Sequence, residues 1–326
     1  MPSFVTAELA DQPRSWQRAA DLAPSAAGLP EPGERVAVVG CGTSWFMAQA
    51  YAGLREAAGA GETDAFTASE LPAGRAYDRV LALSRSGTTT EILDVLAAAT
   101  VPTTLITGVA DSPAPALADT SVVLDFADER SVVQTRFATT TLALLRAHLG
   151  EDLSGAIADA QRAVSEPLPA GAADRVQFTF LGAGWTTGLA AEAALKMREA
   201  ALAWSESYPA MDYRHGPIAI TDEQSAVWMF GAAPEGLAEQ VGVTGGLWVR
   251  QDLDPLASLI QAQRLALELA AARGLDPDAP RHLTRSVILR PHDAAAAQAS
   301  SSQDSSSRAS SPSVSASPAS SSAARS

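Results

Sequence analysis

The stretch Ser84-Arg85-Ser86-Gly87-Thr88-Thr89 gathers hydroxyls, one arginine and one glycine just ahead of a segment with helical apolar spacing. Ser84, Ser86 and Thr89 offer neutral hydrogen-bond donors. Arg85 offers a charge-assisted one, and Gly87 lets the backbone approach a ligand closely. A helix N-terminus adds unpaired N–H groups and partial positive charge, so this loop suits a phosphate. The competing reading is simple helix capping, which accounts for most single loops of this type. A second hydroxyl-bearing loop, Gly40-Cys41-Gly42-Thr43-Ser44, weakens that alternative. It is not a dinucleotide fingerprint, because Phe46 stands where a small residue is needed. No Gly-Lys-Ser/Thr phosphate loop occurs either.

A third constellation is Glu192, Lys196 and Glu199, which fall on one helical face. Such spacing usually means a solvated ion-pair stripe. Here the rest of the segment is Ala, Leu and Met, which favours a stripe facing a cleft. A carboxylate in that setting could remove a proton beside a carbonyl or imine. His215 stands in His-Gly-Pro, while His148, His282 and His292 are scattered. With one cysteine and no paired histidines, no metal and no cofactor are expected.

These groups need elements to hold them. Short apolar runs at Val36–Val39, Val80–Leu83, Thr103–Thr107 and Val122–Phe126 read as strands, with helices through Tyr51–Glu56, at 89–99 and over Gln134–Leu149. The pattern restarts with Gln177–Leu181, a helix over Thr187–Trp204, strands at Val227–Phe230 and Leu247–Val249, and a helix over Leu256–Arg273. Gly182-Ala183-Gly184 mirrors Gly40-Cys41-Gly42. Strands that are apolar throughout imply parallel sheets covered on both faces, so the expectation is a duplicated α/β fold. Its parts are an N-terminal helix and linker (1–29), two α/β domains (30–150 and 151–292) and a Ser/Ala-rich tail (293–326). The tail lacks the apolar periodicity a fold requires and is expected to be disordered. Both chemistry-bearing loops of the first half would lie at strand carboxyl ends, where open α/β sheets bind ligands.

The 326-residue chain carries a net charge of -14, with 47% hydrophobic residues. So acidic a chain has no global attraction to nucleic acid or anionic lipid. The N-terminus lacks a secretory pattern, no apolar run is long enough to span a bilayer, and Cys41 has no disulfide partner. A cytoplasmic protein is expected, with no nucleic-acid or membrane partner.

Taken together, the motifs resemble the double-SIS (sugar isomerase) family, in particular the isomerase half of glucosamine-6-phosphate synthase and the galactosamine-6-phosphate deaminase/isomerases. The likeness runs from Glu8-Leu9-Ala10-Asp11-Gln12-Pro13 through Cys41-Gly42-Thr43-Ser44, Ser84-x-Ser86-Gly87-x-Thr89 and Ala193 to Glu199. It ends with His215-Gly216-Pro217 and Asp278-x-Pro280-Arg281-x-Leu283. The resemblance implies two tandem SIS domains, each a flavodoxin-like three-layer sandwich, and a small phosphorylated amino sugar as ligand. It implies that Ser84, Ser86 and Thr89 hold the phosphate. Thr43 and Ser44 would contact phosphate or sugar hydroxyls, and Val132 and Gln134 would lie on a further ligand-contacting loop. Glu199 would move the proton between C2 and C1, with Lys196 assisting. His215 would aid ring opening from the neighbouring subunit of a homodimer.

Three departures separate the chain from the synthase. There is no glutaminase segment, so release of ammonia from glutamine is not expected. Arg85 stands where the synthase has glutamine. Arg285 stands where it has an imine-forming lysine, and a guanidinium forms imines poorly. The expected activity is therefore aldose–ketose isomerisation with deamination of glucosamine-6-phosphate or its N-acetyl form. β-Elimination at C3 and non-catalytic sensing of phosphosugars are the alternatives.

Overall fold

The structure is a computed structural model, and it describes residues 3–289. The expected tail at 293–326 lies outside the described residues. The single N-terminal helix expected from the sequence is two: α1 (Phe4–Ala10) and α2 (Gln12–Leu22). Pro13 falls in the first turn of α2, where a missing N–H costs nothing.

The first sheet contains β1 (Val36–Gly40), β2 (Thr63–Thr67), β3 (Arg79–Ser84), β4 (Thr103–Thr107) and β5 (Thr120–Val123). All pairs are parallel, in the order β2-β1-β3-β4-β5. α3 (Thr43–Ala57) follows β1, and α4 (Thr90–Ala98) follows β3. Next come α5 (Arg136–His148) and α6 (Ser154–Ser165). The second sheet contains β6 (Gln177–Gly182), β7 (Trp204–Pro209), β8 (Ser225–Met229) and β9 (Leu247–Arg250). It is also parallel, ordered β7-β6-β8-β9. Its helices are α7 (Thr186–Ala201), α8 (Leu237–Val243) and α9 (Pro255–Ala272).

Val36 and Val38 point into the largest core cluster, while Ala37 and Val39 point into a smaller one on the other face. Burial on both faces removes the polar alternation of a half-exposed strand, which is why β1 reads as one apolar run. The large cluster joins α2, α3, α5, α7 and α9 to the inner faces of both sheets. Smaller clusters cover the outer faces, with α4 on the first sheet and α8 on the second. Each sheet is thus the middle layer of an α/β sandwich.

Two boundaries differ from expectation for a physical reason. β2 (Thr-Asp-Ala-Phe-Thr) is a half-exposed edge strand with no apolar run to announce it. α7 stops at Ala201 and does not continue to Trp204. Leu202 turns left-handed (φ 51°), and Trp204 opens the edge strand β7. A glycine usually fills such a position, so leucine there conceals the stop.

α3 and α7 cross closely because Gly188 has no side chain. A Cβ there would sit 2.4 Å from the Phe46 carbonyl oxygen and 2.8 Å from the Ala50 nitrogen. Gly188→Ala is expected to force the two helices apart and to cost about 1–3 kcal/mol, the usual penalty of overpacking. Denaturant melts would measure the loss. Turnover should fall as well, because this contact aligns groups carried by both helices, described below.

Candidate functional site

The first sheet has flavodoxin-like strand order, and its topological switch point lies between β1 and β3. The carboxyl ends of these strands carry the two loops singled out from the sequence. Their residues meet: Ser44, Ser84, Arg85, Ser86, Thr89, Gln134 and Arg285 line one small cavity together with Cys41, Leu83 and Ile92. Two roomier surface clefts contain none of the expected site residues.

Capping does not account for the hydroxyls. Gly42 is the N-cap of α3, with Thr43 and Ser44 in the first turn, and no side chain bonds there. Thr89 is the N-cap of α4, yet its hydroxyl caps nothing. Ser84 Oγ accepts the Gly87 N–H at 3.2 Å, and Ser86 Oγ accepts the Thr88 N–H at 3.2 Å. Gly87 itself has φ 61°, a conformation that favours glycine, and it folds the loop into this tight turn. These bonds use the serine oxygens as acceptors and leave the O–H donor of Ser84 for a ligand.

Arg85 is only 2% exposed. Its terminal nitrogens donate to the carbonyls of Ser131 at 2.9 Å and Arg285 at 2.8 Å, while the buried Nε has no partner. Among the described residues no carboxylate pairs with it directly. Burial pulls this guanidinium below its ordinary range, and the nearby Glu129 carboxylate opposes that pull. Arg285 donates to the Glu129 carbonyl and, at 2.5 Å, to the Asp128 carboxylate. The Gln134 Oε1 is buried without a partner. Val132 does not line the cavity; its N–H donates to the Asp278 carbonyl at 3.3 Å.

Beyond the cavity, Thr43 connects to α7. Lys196 Nζ donates to Thr43 Oγ1 at 2.9 Å and to Glu199 Oε2 at 2.5 Å, with Glu192 Oε1 at 3.3 Å. Two of the ammonium's three donors are used in hydrogen bonds, while the Glu192 contact is an ion pair that leaves both buried Glu192 oxygens without a hydrogen bond. Burial alone would pull Lys196 down, but Glu192 and Glu199 outweigh it and hold the ammonium above its ordinary value. Glu199 keeps 19% side-chain exposure, and Glu192 has none.

Burial drives the Glu192 carboxyl up to about 7, against the pull of Lys196. The sequence placed Glu192 on the face of Lys196 and Glu199 but gave it no role; its four-residue offset from Lys196 was the available signal. Between its ordinary value and about 7, folded Glu192 holds a proton that the unfolded chain has released. Its contribution to stability therefore falls as pH rises through that window. Glu192→Gln should lack this loss. Relative to wild type, the variant is expected to gain about 2–3 kcal/mol between pH 5 and pH 8, readable from paired denaturant melts.

His215 lies in a short 3-10 turn, is exposed, and makes no hydrogen bond or ion pair to Glu199 or to the cavity. Among the described residues, no group of three or more His, Cys, Asp or Glu is placed to hold a metal ion. No described helix is long and apolar enough to cross a membrane.

No family model matches the sequence. Among curated proteins, the glutamine–fructose-6-phosphate aminotransferase (isomerizing) of Gloeobacter violaceus is 27% identical over 78% of this chain and 52% of its own length. That of Bacteroides thetaiotaomicron is 28% identical over 78% and 51%. The chain thus spans about half the length of these relatives. Among solved structures, glucosamine-6-phosphate deaminase from Thermotoga maritima superposes with a TM-score of 0.73 at 25% identity, covering 88% of this chain and all of that one. In sequence and in fold the chain resembles the double-SIS sugar isomerases. At the level of fold, the same double-SIS arrangement appears in the C-terminal domain of glucosamine-fructose-6-phosphate aminotransferase from Francisella tularensis. There the TM-score is 0.72 at 22% identity, covering 86% of this chain and 98% of that one. In this chain the cavity lies at the carboxyl ends of strands of the first sheet. The Glu192–Lys196–Glu199 row stands on the helix that follows the first strand of the second, and it meets the first half at Thr43, next to the cavity residue Ser44.

Proposed function

We propose that this chain converts a phosphorylated 2-amino sugar of the glucosamine-6-phosphate class by moving the C2 proton of its open form, as an isomerase and deaminase. The observation that carries the reading is the continuity of two chemistries. A hydroxyl-rich cavity containing a buried arginine without a direct carboxylate partner adjoins, through Thr43, a carboxylate–ammonium–carboxylate row. The resemblance to a glucosamine-6-phosphate deaminase over nearly the whole described chain supports the substrate class.

The phosphate rests on Ser84, Ser86 and Thr89, with Arg85 supplying positive charge below it. Ser44 lies between this anchor and the sugar carbons. Glu199 removes the C2 proton from the open aldose while the C1 carbonyl oxygen gains one, which leaves a C1–C2 enaminol. Returning the proton to C1 produces a C2 imine. Water then adds to the imine and ammonia leaves, so the products are a ketose phosphate and ammonia. Lys196, bonded to Thr43 and Glu199, keeps Glu199 placed. Arg285 is consistent with a substrate that already carries nitrogen, since no lysine-bound imine is needed. His215, exposed and unpartnered, is available to complete the site of a second copy in a homodimer.

The test is to incubate the protein with glucosamine-6-phosphate and with its N-acetyl form and to follow products by NMR. Ketose phosphate with ammonia supports the proposal. A product unsaturated at C2–C3 would replace it with β-elimination. Binding without turnover would replace it with a sensor.

A further inference from the structure

The cradle is held from outside by a carboxylate on the first helix. Glu8, 6% exposed on α1, accepts the Arg130 N–H at 2.6 Å and the Ser131 N–H at 3.4 Å, and its Oε2 also accepts the Ser131 hydroxyl. The Ser131 carbonyl then points the other way and accepts Arg85 Nη1 at 2.9 Å. One carboxylate therefore fixes the peptide that fixes the buried arginine. α1 is itself anchored, because both Asp278 oxygens accept from its first turn, Phe4 N–H at 2.7 Å and Val5 N–H at 2.8 Å. Asp278 lies in the segment that also brings Arg285 to the cavity, and the Arg285 carbonyl takes the other Arg85 nitrogen. The path from Asp278 through α1, Glu8, Ser131 and Arg85 to Arg285 closes on itself.

We infer that Glu8 is a positioning residue for phosphate binding, acting on the ligand through Ser131 and Arg85. The inference rests on the proposed phosphosugar reading of the same cavity. Removing the carboxylate leaves the Arg130 N–H and the buried Ser131 N–H without their acceptor, and the Ser131 carbonyl is then free to turn away from Arg85. The proton-transfer groups are untouched, since Thr43, Lys196 and Glu199 stand on α3 and α7 and make no contact with Glu8. The effect should therefore appear in substrate affinity and leave the chemical step alone.

The experiment compares the full chain with Glu8→Ala, Ser131→Ala and Val5→Ala. Val5 is fully buried on the same helix but bonds to nothing in the path through its side chain. Each is titrated with inorganic phosphate and with glucosamine-6-phosphate by calorimetry, and kcat and KM are measured. Glu8→Ala is expected to weaken both ligands and raise KM by about tenfold or more, with kcat within about twofold, as for a lost charge-assisted contact. Ser131→Ala should do the same more mildly. Val5→Ala should lower Tm and keep wild-type affinity. If Glu8→Ala only lowers Tm as Val5→Ala does, or lowers kcat at unchanged KM, the positioning role is overturned. A wild-type protein that binds neither ligand overturns the phosphosugar reading and this inference with it. Wild-type binding with unaltered Glu8→Ala affinity overturns Glu8 alone.

Discussion

Glu199→Gln is expected to lower kcat by about a thousandfold, the scale of a lost general base, while leaving the affinity for glucosamine-6-phosphate within about threefold. The substitution is nearly isosteric. Above pH 7, where Glu192 has released its proton, it also leaves Lys196 a charged partner, because Glu192 lies 3.3 Å away on the same helix. The ammonium is therefore not left as a buried charge without compensation, the situation that makes most disrupted ion pairs costly. Tm should consequently move little. The decisive measurement is exchange of the C2 hydrogen in deuterium oxide, followed by NMR. Wild type should wash the hydrogen out, and Glu199→Gln should not. Retained exchange in the variant would remove Glu199 from the reaction, and equal loss of binding would make it a ligand contact.

The second large effect concerns the anchor. Ser86→Ala should weaken the phosphosugar by about ten- to a hundredfold, the value of one hydrogen bond to a charged group. It should cost little stability, because Thr88 Oγ1 keeps its bond to Ser286 Oγ at 2.9 Å when Ser86 is lost. Arg85→Gln should weaken binding at least as much, and it should also destabilise the fold by about 2–3 kcal/mol. The carbonyls of Ser131 and Arg285 would each lose a buried donor. Calorimetric titration with inorganic phosphate alongside denaturant melts separates the two quantities. An Arg85→Gln protein that is less stable but binds phosphate normally would make the guanidinium a brace for the loops and no more. Comparable loss in Ser86→Ala and Arg85→Gln, with kcat at saturation preserved in Ser86→Ala, fits an anchor that holds the ligand's phosphate end without taking part at C1 and C2.

The contrast between these variants reflects how the site is divided. The proposed phosphate end is built from local sequence, as one strand, one tight turn and one helix start. The proposed proton-transfer end is built across the molecule, since Lys196 meets Thr43 across 153 positions of chain. A change at the first end is a change in one loop. A change at the second, such as Gly188→Ala, acts through the packing of two helices.

The loops at Ser84 and Thr43 were legible because their chemistry is carried by adjacent residues and their supporting strands are apolar on both faces. Both parallel sheets, and the repeat of Gly-x-Gly after β1 and β6, followed from the same signals. Gly42 and Gly184 share nearly the same positive φ, 54° and 56°. Edge elements were harder to read. β2 is half-exposed and mixed in composition, and β7 begins only two residues after a leucine in a glycine's conformation. Propensity carries little information where neither face is fully buried.

By itself, then, the sequence determined the fold class, the hydroxyl-rich loop at Ser84 and the row Glu192, Lys196 and Glu199 on one helical face, because each is encoded over a few turns of chain. Only the tertiary structure decided what those residues do to one another. It buried Glu192 completely and moved its carboxyl to about 7. It placed Arg85 beneath the cavity on two carbonyls from distant segments. It also gave Glu8, which the sequence offered only as part of a family likeness, a hydrogen-bonded path to that arginine. Burial and long-range hydrogen bonds are properties of packing, and no local pattern of residue types reports them.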